Sequence, residues 1–165
     1  MDLVMRVIGM QNHPMAKEIL YVAVILVAHV SMADRAAMEQ EVNHALASEG
    51  VAIRFFTLGE SVPSREPVLV YDHPLRKGVL GQTHRSNGDW LGIVDVDLEQ
   101  IKQRFGLKWR RAYARVLAHE IWHWATRSDK HNNCGLFAER VPHTLLASDA
   151  LLACAPPRPI VASGF

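Results

Sequence analysis

Hydrophobic positions along the chain follow two rhythms, one of period two and one near 3.6, and the alternation between them sketches a fold. The first apolar run, residues 19–28, holds Tyr21, Val22, Val24, Ile25 and Val27, with Val30 just beyond. These are β-forming residues, so the run predicts a buried first strand. It is too short to cross a bilayer as a helix. Lys17 before it and Ser31-Met32-Ala33 after it would also suit an export leader with its cleavage site. The residues that follow favour the strand. Ser31 and Asp34 make an S-x-x-D capping box that opens a helical repeat through Met38, Val42, Ala45 and Leu46, and Gly50 closes it. Cleavage near residue 34 would remove both the strand and the helix cap, which favours a cytoplasmic protein over an exported one. Residues 1–18 carry no clear pattern and offer Met15 as an alternative start, so they are set apart as an N-terminal extension.

Positions 51–56 read as a second strand, giving a strand–helix–strand opening with neighbouring strands. Residues 58–67 hold Gly59, Pro63 and Pro67 among charges and form a surface loop. Positions 68–71 are a short third strand, and Asp72-His73-Pro74 a turn. Positions 79–84 and 90–96 flank Asn87-Gly88, a hairpin signal. Asp97 with Gln100 forms a second capping box, for a short helix ending near Gly106. That box makes Asp97 a cap and Asp95 a strand-end residue rather than a carboxylate pair. A longer helix over 108–127 carries Trp109, Ala112, Tyr113, Val116, Leu117, Ile121, Trp122, Trp124 and Ala125 around most of its circumference. A helix apolar on most sides lies inside its domain. Residues 131–135 are a loop, 142–152 a last short helix, and 155–165, with Pro156, Pro157 and Pro159, a flexible tail.

Composition narrows this picture. A chain of 165 residues suits one core, assigned to residues 19–154. It is 49% hydrophobic and 21% charged with a net charge of +1, which gives no basic excess for a general nucleic-acid binder and predicts no nucleic-acid partner. No stable membrane insertion is expected. Cys134 and Cys154 are too few for a disulfide framework; one bridge and two free thiols both remain open.

The polar residues of the buried helix need a reason to be there, and His119-Glu120-Ile121-Trp122-His123 supplies one. Histidines four apart share a helix face and can ligate one zinc ion. Glu120, one residue along, is rotated so that it meets a zinc-activated water as general base instead of binding the metal. Two core histidines and a salt-bridged glutamate would instead bury several polar groups without purpose. A catalytic zinc needs a third protein ligand and an open position. The candidates are Asp129, at the spacing of the extended metzincin pattern but with Thr126 where that pattern has glycine, and His131, two residues later.

The stretch from Ile19 to Leu152 resembles a family of small bacterial metzincin-like zincins, with a strand, a helix ending in Gly, a strand, a hairpin, and a helix carrying H-E-x-G-H. In that family a third His follows eight residues after the second, and then a Gly-Ile-Met turn. The matching residues here are His119, Glu120, His123 and His131, then Gly135-Leu136-Phe137. The resemblance implies an α+β zincin fold: a mixed twisted sheet packed on an internal active-site helix, with a small C-terminal part. It also implies His131 as the third zinc ligand and cleavage of a peptide or protein substrate. Trp122 departs from the usual Gly and Phe137 from the methionine of the turn; neither change removes a ligand or the base.

Other positions carry weaker signals. Residues 79–84 lie where zincins run an edge strand above the active-site helix, which would bind an extended peptide by strand addition. His84 and His143 are expected to be solvated, with substrate contact as the alternative. Cys134 is expected to be a small buried thiol, with metal or redox chemistry as the alternative. Arg104, Lys108, Arg111 and Arg115 are expected to form a solvated basic face. The resulting expectation is a zinc metalloendopeptidase. The alternatives are a non-catalytic zinc-binding module that holds a peptide, and a zinc hydrolase of another amide.

Overall fold

The computed structural model describes residues 19–27, 30–64, 66–132 and 134–149. The extension assigned to 1–18, the tail assigned to 155–165 and the last residues of the predicted C-terminal helix lie outside them. Strand β1 (Leu20–Leu26) is followed by helix α1 (Met32–Leu46) and strand β2 (Val51–Thr57). Then come β3 (Val68–Asp72), β4 (Gly81–Ser86), β5 (Asp89–Val96), α2 (Leu98–Phe105), α3 (Trp109–Thr126) and α4 (His143–Ala147). The strands form one mixed sheet in the order β2-β1-β3-β5-β4. β1 pairs in parallel with β2 and β3, β3 in parallel with β5, and β4 antiparallel with β5. The protein is therefore α+β, with the first apolar run as an internal strand.

Local chemistry explains the element ends. Ser31 caps α1 by accepting from the Asp34 N–H at 3.2 Å while its hydroxyl donates to the Asp34 carboxylate at 2.8 Å. Asn87 and Gly88 both have positive φ (51° and 90°), as a tight primed hairpin turn between β4 and β5 requires. β4 consequently runs two residues later than the hydrophobic pattern predicts.

Val22, Val24 and Leu26 of β1, Ile53 and Phe55 of β2, Val68 and Val70 of β3, and Val94 and Val96 of β5 are buried in one core with α1 and α3. One edge of the sheet, β2, is covered by α1. Asn43 exchanges two hydrogen bonds with the Ile53 backbone (2.7 and 3.0 Å), and Glu39 accepts from the Phe55 N–H at 2.6 Å. The other edge is β4, which runs beside α3. A protected edge needs no partner; an uncovered one can add a strand.

The predicted basic face is corrected at one position. Arg115 is 1% exposed, forms an ion pair with Glu41 of α1 at 2.7 Å, and donates to the Leu145 carbonyl of α4. It ties three helices together where the charge pattern suggested solvent. Charge periodicity alone does not show which side of a helix a third element will cover. Among the described residues, no helix is long and apolar enough to cross a membrane.

Candidate metal centre

Helix α3 presents His119, Glu120 and His123 within one turn. The helix ends at Arg127, whose left-handed φ of 51° turns the chain back. That reversal aims the Ser128 carbonyl at His123, where it accepts from Nδ1 at 2.7 Å. Further on, Asn132 donates its N–H to the Phe137 carbonyl at 2.8 Å and bridges to Ala138, which closes a loop at its two ends. The same loop brings the Leu136 carbonyl to His119 Nδ1 at 2.8 Å. A carbonyl oxygen can only accept, so both Nδ1 atoms carry the proton and both Nε2 atoms keep a lone pair.

Those lone pairs converge. His123 Nε2 lies 3.1 Å from His119 Nε2 and 3.1 Å from His131 Nε2. Among the described residues, these three form the one His, Cys or carboxylate group whose ligand atoms all fall within 4.8 Å of one another. Nitrogen lone pairs facing each other at this distance repel unless a cation lies between them. Four-coordinate zinc with bonds of about 2.0–2.1 Å sets its nitrogens about 3.3 Å apart, close to these spacings. The residues fit a metal ion. A three-imidazole set suits zinc, copper, iron and nickel alike, so the donors alone do not name the metal. Burial lowers the pKa of His119 and of His123, against the opposing carbonyl hydrogen bonds, and so favours the neutral, ligating form of each.

Of the two candidate third ligands, only His131 joins the cluster. Asp129 is turned outward, with its side chain 73% exposed and paired to Arg85 of β4 at 3.1 Å. Cys134 is exposed and disulfide-bonded, which corrects the expectation of a buried thiol. His84 sits on the face of β4 opposite Thr83 and pairs with Asp95 at 2.7 Å; Asp95 is thus more than a strand end. His143 stacks on Phe105 with ring centroids 4.3 Å apart. Asp97 is a cap, as the sequence indicates, accepting from the Gln100 N–H at 2.8 Å.

Glu120 is 9% exposed and sits beside the histidines without joining them. Burial pushes its carboxyl pKa up, opposed by a hydrogen bond from Thr83. Thr83 Oγ1 lies 2.8 Å from Glu120 Oε2 and 2.9 Å from the Glu120 carbonyl. Gly81 allows β4 to come this close: a Cβ there would stand 2.7 Å from Val116 Cγ1 and 2.9 Å from Glu120 Cγ. Trp90 of β5 stacks on His123 (centroids 5.9 Å apart, planes 4° apart), and Trp122 stacks on Phe137 beneath the site. Trp122 also donates to Glu49 at 3.2 Å, so the bulky residue in the motif has both a ring and a hydrogen-bond partner. Thr83, Gly81 and Trp90 escaped the sequence reading. The signal for the first two was their alternation along a strand whose register only the hairpin turn sets.

A cavity of about 390 Å³ opens beside His119 and Glu120, between the start of β4 and the segment leading into α4. No protein-family model matches the chain, and no curated protein does.

Proposed function

We propose that the protein is a zinc-dependent metallopeptidase of metzincin-like zincin fold, with His119, His123 and His131 as ligands and Glu120 as general base. The observation that carries this reading is the convergence of three Nε2 atoms, two with Nδ1 pinned to carbonyls, next to a buried carboxylate that binds none of them. A structural site needs no such carboxylate, which favours the enzyme over a peptide-holding module. Zinc, when bound, would supply Lewis acidity toward the scissile carbonyl and the attacking water. Glu120 takes a proton from that water as the C–O bond forms and delivers it to the amine nitrogen as the C–N bond breaks. Thr83 holds the Glu120 carboxylate in place for both transfers. The β4 edge, which lies along α3 at Glu120, is suited to align an extended peptide by strand addition. Peptide substrates are favoured over other amides for that reason.

The test uses purified wild type and His131→Ala, Asp129→Ala and Glu120→Gln variants, with bound metals and cleavage of a mixed peptide library both measured. Zinc in the wild type, its loss in His131→Ala, its retention in Asp129→Ala, and retained zinc with lost cleavage in Glu120→Gln are expected. A wild type that binds no zinc from solution would sink the reading, as would a Glu120→Gln protein that still cuts. Removing zinc with a chelator should abolish cleavage, and adding zinc back should restore it.

A further inference from the structure

We propose that the cavity beside Glu120 selects peptides carrying a large apolar side chain directly followed by an acidic residue, on the side of the scissile bond that leaves with the amine. This rests on the peptidase reading above, and it concerns which peptides the cleft prefers.

His119 and Glu120 line the cavity, while His123 and His131 do not. Glu120 delivers the proton to the departing amine, so the cavity on its side receives the residue that carries that amine. Phe105, Val116 and Leu146, all buried, form its floor. At about 390 Å³ it lies toward the small end of ligand pockets, which run roughly 300–1,000 Å³, and suits one large side chain rather than a folded segment.

The mouth differs from the floor. Arg104 and Arg140 both line it, both are exposed, and neither has a carboxylate partner among the described residues. Glu139 is the one carboxylate on the rim, and His143 is engaged against the Phe105 ring. Two guanidiniums against one carboxylate leave the rim cationic. A chain whose apolar residue fills the floor must pass its next side chain over that rim. An acidic side chain there meets two unpaired cations, whereas a basic one is repelled.

Binding of product-like dipeptide amides with free amino termini to the zinc-loaded wild type tests this without requiring turnover. Calorimetry should show Phe-Glu amide binding about fivefold or more tightly than Phe-Lys amide at low salt, the scale expected of two exposed charges. It should also bind more tightly than Ala-Glu amide. The preference over Phe-Lys amide should shrink in about 0.5 M salt. It should reverse in an Arg104→Glu, Arg140→Glu double variant, whose substitutions are at the surface. Equal binding of the Glu and Lys peptides overturns the proposal, as does a preference that survives the charge reversal. Equal binding of the Phe and Ala peptides overturns the apolar half. A preference without cleavage would leave this site standing and remove only the reaction; cleavage without a preference would remove this inference alone.

Discussion

Replacing Thr83 by valine keeps the shape of the side chain and deletes its hydroxyl, which hydrogen-bonds the working end of Glu120. The hydroxyl has one proton and two acceptors within reach, the Glu120 carboxylate at 2.8 Å and the Glu120 carbonyl at 2.9 Å. In the variant a methyl group faces a carboxylate that is buried under β4. A hydrogen bond to a charged group contributes about 1.5–3 kcal/mol, and a buried acceptor stripped of its donor gains nothing in return. For a domain of this size, that loss lowers Tm by about 3–12 °C. If the same interaction holds the carboxylate in its reacting position, kcat falls by about 10- to 150-fold while KM changes little, since one decade of rate is about 1.4 kcal/mol. Thermal melts of the zinc-loaded protein and steady-state kinetics read the two effects separately. Thr83→Ser restores the donor and should recover most of both. A Thr83→Val protein that melts within about 1 °C of wild type and turns over normally would show that the hydroxyl does not anchor Glu120, and the role given to β4 at this site would fall with it.

Asp97 accepts from the N–H of Gln100 and of Leu75 and from the Gln100 side chain, and so pins the loop before β4 that walls the cavity. Burial works against its charge, but these donors hold its pKa below the ordinary 3.8. Asp97→Ala should therefore cost about 2–4 kcal/mol at neutral pH. The carboxylate's contribution is fully present above pH 3.8 and lost as pH falls through the lower folded pKa, so the gap between the two melts should narrow as the pH is taken progressively below 3.8. Tyr113→Phe should leave Tm unchanged or raised, because the Tyr113 hydroxyl is buried without a partner among the described residues; a clear fall in the melt would mean that ordered water satisfies it. Gly81→Ala should cost about 1–3 kcal/mol and most of the activity, since the added Cβ meets Val116 and Glu120 inside contact distance; normal turnover would show that β4 can retreat freely.

The elements were legible where local chemistry alone decides them. Ser31 with Asp34, and Asp97 with Gln100, cap helices because the bonds involved span three residues, and Asn87-Gly88 turns a hairpin because Asn and Gly tolerate the positive φ that the turn needs at both positions. Long-range facts were less accessible. Arg115 reads as surface in a stripe with Arg104, Lys108 and Arg111, and its burial depends on α1 and α4 meeting over it. Thr83 and Gly81 matter only because the sheet order puts β4 at an edge against α3, and no periodicity within 79–84 encodes a neighbour in another element.

The third histidine shows where that boundary lies. Spacing along the sequence allowed both Asp129 and His131, because a loop of either length can return to a helix end. What separates them is the left-handed residue at Arg127, which the sequence does not announce, since an arginine there is uncommon. Once the chain reverses at that point, Ser128 faces His123, and Asp129 is carried outward to Arg85. The loop closed by Asn132 and Ala138 then brings His131 back to the other two rings. The carbonyl that orients His119 comes from the same loop, so the third imidazole and the tautomer of the first are set by one piece of backbone. A change that opens this loop should therefore weaken metal binding twice over, by displacing His131 and by freeing the ring of His119.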